Sequence, residues 1–368
     1  MNKSNSKRNE LKILHVCEVA IGGICSYLNV VCFQSNEIEN FIVAPEGHVS
    51  GISLTTTVST FRRTGRNITS VMRFIRASMR GVEKECPDIV FFHSTFALLA
   101  LIVIKLKRSR VKTIYCSHGW AASRYSNALK RVIVGKIEGY LCGLADVVIN
   151  ISEYDQNTAI SSGYLGRHVL VENAVLDHQP IVRSDKFSNN SDVINLLFIG
   201  RFDQQKGLDL LLKSFHKAQK ERSDLHLTLI GSPVIGDQGN MEIPPQTNII
   251  GWVDPLELDD WYRSSDALIV PSRWEGFGLV VAEAFRNGTP VLCSDRGALP
   301  FLVRPNETGE IFPLDEKSIT NTLIGIDKHT LKSQRAACRT TYEKRFAPLR
   351  FVKEISEIYA ELTISQQE

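Results

Sequence analysis

Short apolar runs bounded by turns recur along this chain, separated by stretches with helical spacing, and that alternation restricts the possible folds more than any other feature. Leu11–Cys17, Ile89–Phe92, Val111–Cys116 and Ala145–Ile151 read as strands in the first half. Asn195–Ile199, Leu225–Ile230, Ile249–Ile250, Ala267–Val270 and Pro290–Cys293 do so in the second. Most are apolar at consecutive rather than alternate positions, as expected of strands covered on both faces, the condition of a parallel sheet under helices. Two such series predict an α/β chain of two Rossmann-like domains with parallel sheets. The 368 residues and 43% hydrophobic content suit two cores, at about 150 residues per domain.

The polar, turn-rich stretch from Asp177 to Asp192 reads as the linker, and the ligand cleft is expected beside it. The expected domains are residues 1–180 and 190–345. In the tail, residues 346–365, Phe351, Val352, Ile355, Ile358, Tyr359 and Leu362 recur at helical spacing. Phe96–Ile104 is continuously apolar but far short of the about 20 residues a bilayer requires, so a buried helix is expected. The first ten residues are polar with no apolar segment behind them, which reads as a cytoplasmic protein without a secretory leader. Eight cysteines at 17, 25, 32, 86, 116, 142, 293 and 338 show neither paired C-x-x-C nor framework spacing, and buried thiols are expected.

Charge is divided unevenly. Up to residue 180 there are 21 lysines and arginines against 14 acids; beyond it the acids outnumber the bases, within a net charge of +3. The excess gathers at Arg62, Arg63, Arg66, Arg73, Arg76 and Arg80 and at Lys105, Lys107, Arg108, Arg110 and Lys112. Val71, Met72, Phe74 and Ile75 lie among the arginines of Ile68–Met79, the composition of a helix resting on an anionic membrane surface or of an ordinary solvated face. No binding module or aromatic stripe accompanies these patches, so nucleic acid is not expected as a partner.

The most chemical segment is Ala267–Arg286. An apolar strand ends at Pro271; Gly276, Phe277 and Gly278 form a turn that lets backbone approach a ligand; and a helix begins at Leu279, its first N–H groups without intrahelical partners. An anion belongs at such a helix start. Glu275 precedes the turn and Glu283 lies about one turn into the helix, so two carboxylates flank the anion position. A ligand satisfying all three parts carries phosphate, ribose and a second sugar, which describes a nucleotide sugar. Alternatively, Glu275 caps the helix and Glu283 is solvated. Upstream, Arg201 and Lys206 sit five apart on the loop after a strand, suited to neutralising a diphosphate.

These residues, together with Phe198-Ile-Gly-Arg-Phe-Asp-Gln-Gln-Lys-Gly207, Asn248-Ile-Ile-Gly251, Ser265-Asp266-Ala267, Gly288-Thr-Pro290, Gly297-Ala-Leu-Pro300 and Thr308-Gly309, resemble the family 4 (group 1) retaining glycosyltransferases. One departure is Phe301, where that family often has an acid. The resemblance implies the GT-B fold, two Rossmann-like domains facing across a cleft, with the tail helix returning to the first domain. It implies transfer of a hexose from a UDP- or GDP-linked donor to a saccharide acceptor, polyprenyl-diphosphate-linked or soluble, in surface polysaccharide synthesis (O-antigen, capsule or exopolysaccharide). Sugar-nucleotide epimerases and hydrolases share the sheet pair and remain the alternative.

By the same resemblance Glu283 holds the ribose and Glu275 the transferred sugar. Arg201, Lys206 and the backbone of Gly278, Leu279 and Val280 hold the phosphates, with Gly22 and Gly23 approaching from the first domain. His118 stands near the sugar; His93 is a further candidate strand-end histidine, and Asn173 reads as a turn residue. The donor is a substrate and no separate cofactor is expected. Leu258-Asp259-Asp260 falls in a helix-like stretch and is not a D-x-D metal motif, so no metal is expected.

Overall fold

A computed structural model of the chain describes residues 10–33, 38–53, 56–65, 67–107, 111–124, 127–177, 185–187, 192–233 and 242–364. Arg66, Arg108 and Arg110, and most of the expected linker, lie outside the described residues. The chain divides into two compact units, one of residues 1–151, 155–172 and 351–368 and the other of 152–154 and 173–350.

Among the described residues the first unit contains seven strands: β1 (Leu11–Cys17), β2 (Ile38–Pro45), β3 (Thr57–Phe61), β4 (Ile89–His93), β5 (Lys112–Cys116), β6 (Val147–Asn150) and β7 (His168–Leu170). They pair in the order β3-β2-β1-β4-β5-β6-β7, every pair parallel. Its helices are α1 (Gly23–Val31), α2 (Ile68–Glu85), α3 (Ala97–Lys107), α4 (Ala128–Leu141), most of α5 (Glu153–Ser161) and, from Phe351 on, α12 (Pro348–Ile364). All five residues of β4, Ile89-Val-Phe-Phe-His, are buried, as a central strand covered on both faces requires. Asn67 accepts from the Ser70 N–H at 2.9 Å and starts α2; Cys86, left-handed at φ 46°, stops it.

Phe74 of α2 is buried in the core that also holds Leu98 and Leu101 of α3, and Ile75 and Met79 pack against it. Phe74, Ile75 and Met79 thus serve the core, while Ile68 and Met72 are exposed together with Arg73, Arg76 and Arg80. The Phe351 ring of α12 meets Tyr27 of α1 edge-on at 5.2 Å, and Arg167 donates twice to Glu361.

The second unit has β8 (Ile194–Ile199), β9 (Leu225–Ile230), β10 (Thr247–Gly251), β11 (Ala267–Val270), β12 (Val291–Ser294) and β13 (Gly309–Phe312) in the order β10-β9-β8-β11-β12-β13, again all parallel. Its helices are α6 (Leu208–Ala218), α7 (Pro255–Ser264), α8 (Leu279–Arg286), α9 (Leu299–Leu302), α10 (Glu316–Gly325) and α11 (Lys328–Thr341). Leu211 and Phe215 of α6 lock against Leu196, Leu227 and Ile269 of the sheet.

Four strands were not anticipated from sequence: β2, β3, β7 and β13. β2 is interrupted by Glu39 and Asn40, β3 is mostly Thr and Ser, and β7 and β13 have only three and four residues at sheet edges. All eight cysteines are free thiols, five of them buried. Among the described residues no helix is long and apolar enough to cross a membrane.

Phe215 has no exposed surface and ties α6, which follows the Arg201–Lys206 loop, to its sheet. Phe215→Ala is expected to cost about 3–5 kcal/mol. Chemical denaturation measures this, and a loss below about 1 kcal/mol would contradict the packing described.

Candidate active site

In a doubly wound sheet the loops leaving two neighbouring strands part to opposite faces at the point where strand order reverses, and the crevice left at the strands' carboxyl ends receives ligands. In the second unit that point lies between β8 and β11. Arg201 and Lys206 follow β8, and Glu275 follows β11. Lys206 Nζ and Glu275 Oε1 are 2.7 Å apart, and Ser272 Oγ donates to the same oxygen at 2.8 Å. Glu275 is only 7% exposed. The sequence reading treated the lysine and the glutamate separately; the fold joins them in one partly buried ion pair.

Close backbone approaches hold this arrangement. Gly207 has φ +70°, and a Cβ there would fall 1.9 Å from the Pro271 carbonyl oxygen, so the β8 loop can lie against the β11 loop only with glycine at this position. Arg273 donates its N–H to the Gln205 carbonyl at 2.7 Å and its guanidinium to both carboxylate oxygens of Asp209. From β12, the Ala298 N–H donates to the Glu275 carbonyl at 3.0 Å. Arg201 is half-exposed, 2.8 Å from Gln205 Oε1 and 3.0 Å from Asp203.

The α8 helix starts at Gly278, whose φ of 98° turns the chain into the helix without a side-chain cap. Its first turn thus presents N–H groups and the positive end of the helix dipole beside the ion pair. Glu283, in the second turn, is half-buried, and its Oε2 accepts a 2.8 Å bond from the hydroxyl of Tyr262 on α7. Burial, then the neighbouring carboxylate, pushes the Tyr262 phenol well above its ordinary pKa, so it remains a donor. Asp259 of α7 also binds Arg286 of α8, fixing the two helices together. Asp259 and Asp260 are both on a helix and both ion-paired with arginine. Sequence does not single out Tyr262, Ser272 or Arg273 for this site; Tyr262 and Arg273 act on partners 21 and 64 positions away, whereas Ser272 acts on Glu275 three residues on.

The first unit has its own strand-order reversal, between β1 and β4. His93 ends β4, His118 follows β5, and Gly22, with φ 57°, precedes α1 and Gly23. A Cβ at Gly22 would meet nothing within 4 Å, so the turn faces open space. His118 also has positive φ, 55°, strained for a residue other than glycine. His93 and His118 are hydrogen-bonded at 3.0 Å, and so are His93 and His15, which sequence did not single out. His15 Nε2 lies 3.1 Å from Asn40 Oδ1. With that oxygen accepting, His15 donates through Nε2 and accepts at Nδ1 from His93, which in turn accepts from His118. Asn173, expected at a turn, is buried, and its carbonyl accepts from Arg350 at 3.3 Å.

A row of neutral rings satisfies itself, whereas an added proton would set two N–H groups against each other. Burial lowers the His15 pKa to about 4, and burial with its two histidine neighbours drives His93 well below the ordinary value. Unfolded histidines protonate near pH 6.5, so the unfolded chain binds more protons below that pH. Stability should therefore be flat above neutrality and fall from pH 6.5 toward 4, by up to about 1.4 kcal/mol per pH unit for each of these two rings. Urea titrations across this range measure the slope, and imidazole nitrogen shifts at pH 5.5 should report neutral His15 and His93; charged rings there would contradict the row.

Comparison with known proteins agrees with both halves of the chain. The family profile described as glycosyl transferases group 1 matches residues 182–334, and that described as glycosyltransferase family 4 matches residues 30–175. An uncharacterized 41.2 kDa protein in the cps region of Klebsiella pneumoniae is 30% identical over 95% of this chain and 99% of its own length. The D-inositol 3-phosphate glycosyltransferase of Streptomyces scabiei is 30% identical over 42% of this chain and 41% of its own. Among solved structures, sucrose-phosphate synthase from Thermosynechococcus elongatus superposes with a TM-score of 0.80 at 17% identity, covering 96% of this chain and all of that one. Anabaena HepE in complex with UDP and glucose gives 0.74 at 15%, covering 95% and 100%. The strand orders, the glycine-rich turns and these matches together make the chain a member of the group 1 glycosyltransferases of family 4 type, with the GT-B fold.

Proposed function

We propose that this glycosyltransferase moves a hexose, with retention of anomeric configuration, from a UDP- or GDP-linked donor to a saccharide acceptor during synthesis of a surface polysaccharide. The observation that carries the donor assignment is the Lys206–Glu275 pair beside the uncapped start of α8. An ammonium, a carboxylate and helix N–H groups gathered at one strand-order reversal match the phosphate and the hydroxyls of a nucleotide sugar. The HepE complex with UDP and glucose supports that class of ligand. The Klebsiella protein of the cps region supports a capsule-like product, built on a lipid-linked or a soluble acceptor.

Departure of the nucleoside diphosphate leaves negative charge on its terminal phosphate. Arg201, Lys206 and the N–H groups of Gly278, Leu279 and Val280 stabilise that charge without proton transfer, so no divalent ion is required and turnover continues in EDTA. Glu283, held in place by Tyr262, accepts from the ribose hydroxyls, and Glu275 accepts from hydroxyls of the hexose. Gly276 and Phe277 shape the turn between them. An oxocarbenium-like sugar forms as the bond to the leaving oxygen breaks; the acceptor hydroxyl attacks the same face and the leaving diphosphate takes its proton. Gly22, Gly23 and His118 keep the ligand contacts that the family resemblance implies.

Glu283→Ala is expected to abolish most turnover. Glu283→Gln leaves an oxygen for Tyr262 and so keeps the melting temperature while lowering activity, which separates function from folding. Arg201→Ala and Lys206→Met should each cost about a hundredfold in kcat/KM, as removal of a donor to a developing oxyanion does. UDP- and GDP-hexoses screened against a lipid-linked saccharide extract, with chromatography of the glycan, measure these effects. Undiminished turnover in Glu283→Ala would reject the donor site, and nucleotide release without a lengthened glycan would identify a hydrolase or epimerase instead.

A further inference from the structure

The α4 helix is packed inside out. Leu129, Val132, Ile133, Ile137 and Tyr140 recur at helical spacing, yet they are 69, 51, 48, 56 and 67% exposed. The opposite face, which the core receives, is small and polar. A Cβ at Gly139 would fall 2.2 Å from the Tyr164 ring, and one at Gly135 would fall 2.8 Å from its hydroxyl, so both glycines let the helix lie directly on that side chain. Glu138, 1% exposed, is bound through Oε1 by Thr95 Oγ1 at 2.7 Å and the Tyr115 hydroxyl at 2.8 Å, and through Oε2 by the Ala121 N–H at 2.8 Å. Rotating the helix to bury its apolar stripe would expose these contacts and leave a buried phenol without an acceptor. The outward stripe is therefore imposed by the fold. Five large apolar residues on one exposed face are too many to be scattered surface positions.

Charge identifies what covers them. Lys130, Arg131 and Lys136 are exposed on the same helix, and its one acid, Glu138, is buried. The end of α4, with Leu141 and Cys142, belongs to the core that also takes in α2 and α3, and those helices expose Arg73, Arg76, Arg80 and Lys107. Two copies meeting through this face would bring like charges together, whereas an anionic bilayer complements them. An apolar stripe on a helix about 21 Å long that exposes three cations and no acid suits a helix lying in the headgroup plane. We propose that α4 is the membrane-docking element of this enzyme: Leu129, Val132, Ile133, Ile137 and Tyr140 enter the boundary of an anionic leaflet while Lys130, Arg131 and Lys136 engage its headgroups.

The test is co-sedimentation of the full-length chain with vesicles of phosphatidylglycerol and phosphatidylethanolamine, against phosphatidylcholine alone. The wild-type chain should pellet with the first and much less with the second. Ile133→Asp/Ile137→Asp should lower partitioning at least about tenfold with an unchanged melting temperature, since both side chains already face water. Lys130→Gln/Lys136→Gln should lower it as added salt does. No binding to the anionic vesicles, equal binding to neutral ones, or undiminished binding of the Ile133/Ile137 variant would overturn the proposal. So would sedimentation velocity showing a wild-type dimer that the same variant dissolves.

Discussion

Within each sheet every described strand pairs parallel to its neighbours, and that constraint determines where chemistry can occur. Carboxyl ends then collect along one edge of each sheet, and the reversal of strand order opens a gap there. The β8 and β11 loops meet at that gap only because Gly207 lets one backbone touch the other. From that contact follow the pairing of Lys206 with Glu275, the Arg273 bridge to Asp209 and the start of α8 beside them. The ammonium proposed to meet a phosphate is paired with the carboxylate proposed to meet a sugar. Each group compensates the partly buried charge of the other.

Local backbone structure was legible in the sequence where the apolar pattern is dense. β1, β9, β11 and α8 occupy the residues expected, because apolar-rich runs and the Gly278 turn report the local backbone directly. Edge strands such as β3 and β13 escaped because they bury less and so carry less apolar pattern. The pairing of Lys206 with Glu275 spans 69 positions and that of His15 with His93 spans 78, distances over which spacing carries no information. Tyr262 reads as an ordinary core aromatic until Glu283 is found beside its hydroxyl.

The helices α2 and α4 show the same limit in another form. Both mix apolar and basic residues, and composition drew attention to α2 as the surface element. Packing separates the two: Phe74 of α2 turns inward while Ile68 and Met72 stay exposed, and in α4 Glu138 and two glycines hold the whole apolar stripe outward. Spacing locates an apolar stripe, but the side on which it is buried depends on the opposite face and what that face must satisfy.

The central claim is that the strand ends of the second unit hold a nucleoside diphosphate. A crystal structure of the chain with UDP or GDP tests it most directly. The account predicts the terminal phosphate within hydrogen-bond distance of the N–H groups of Gly278–Val280, with Lys206 Nζ drawn from Glu275 toward a phosphate oxygen and Glu283 on the ribose. Nucleotide density away from the start of α8, with the Lys206–Glu275 pair unchanged, would contradict it.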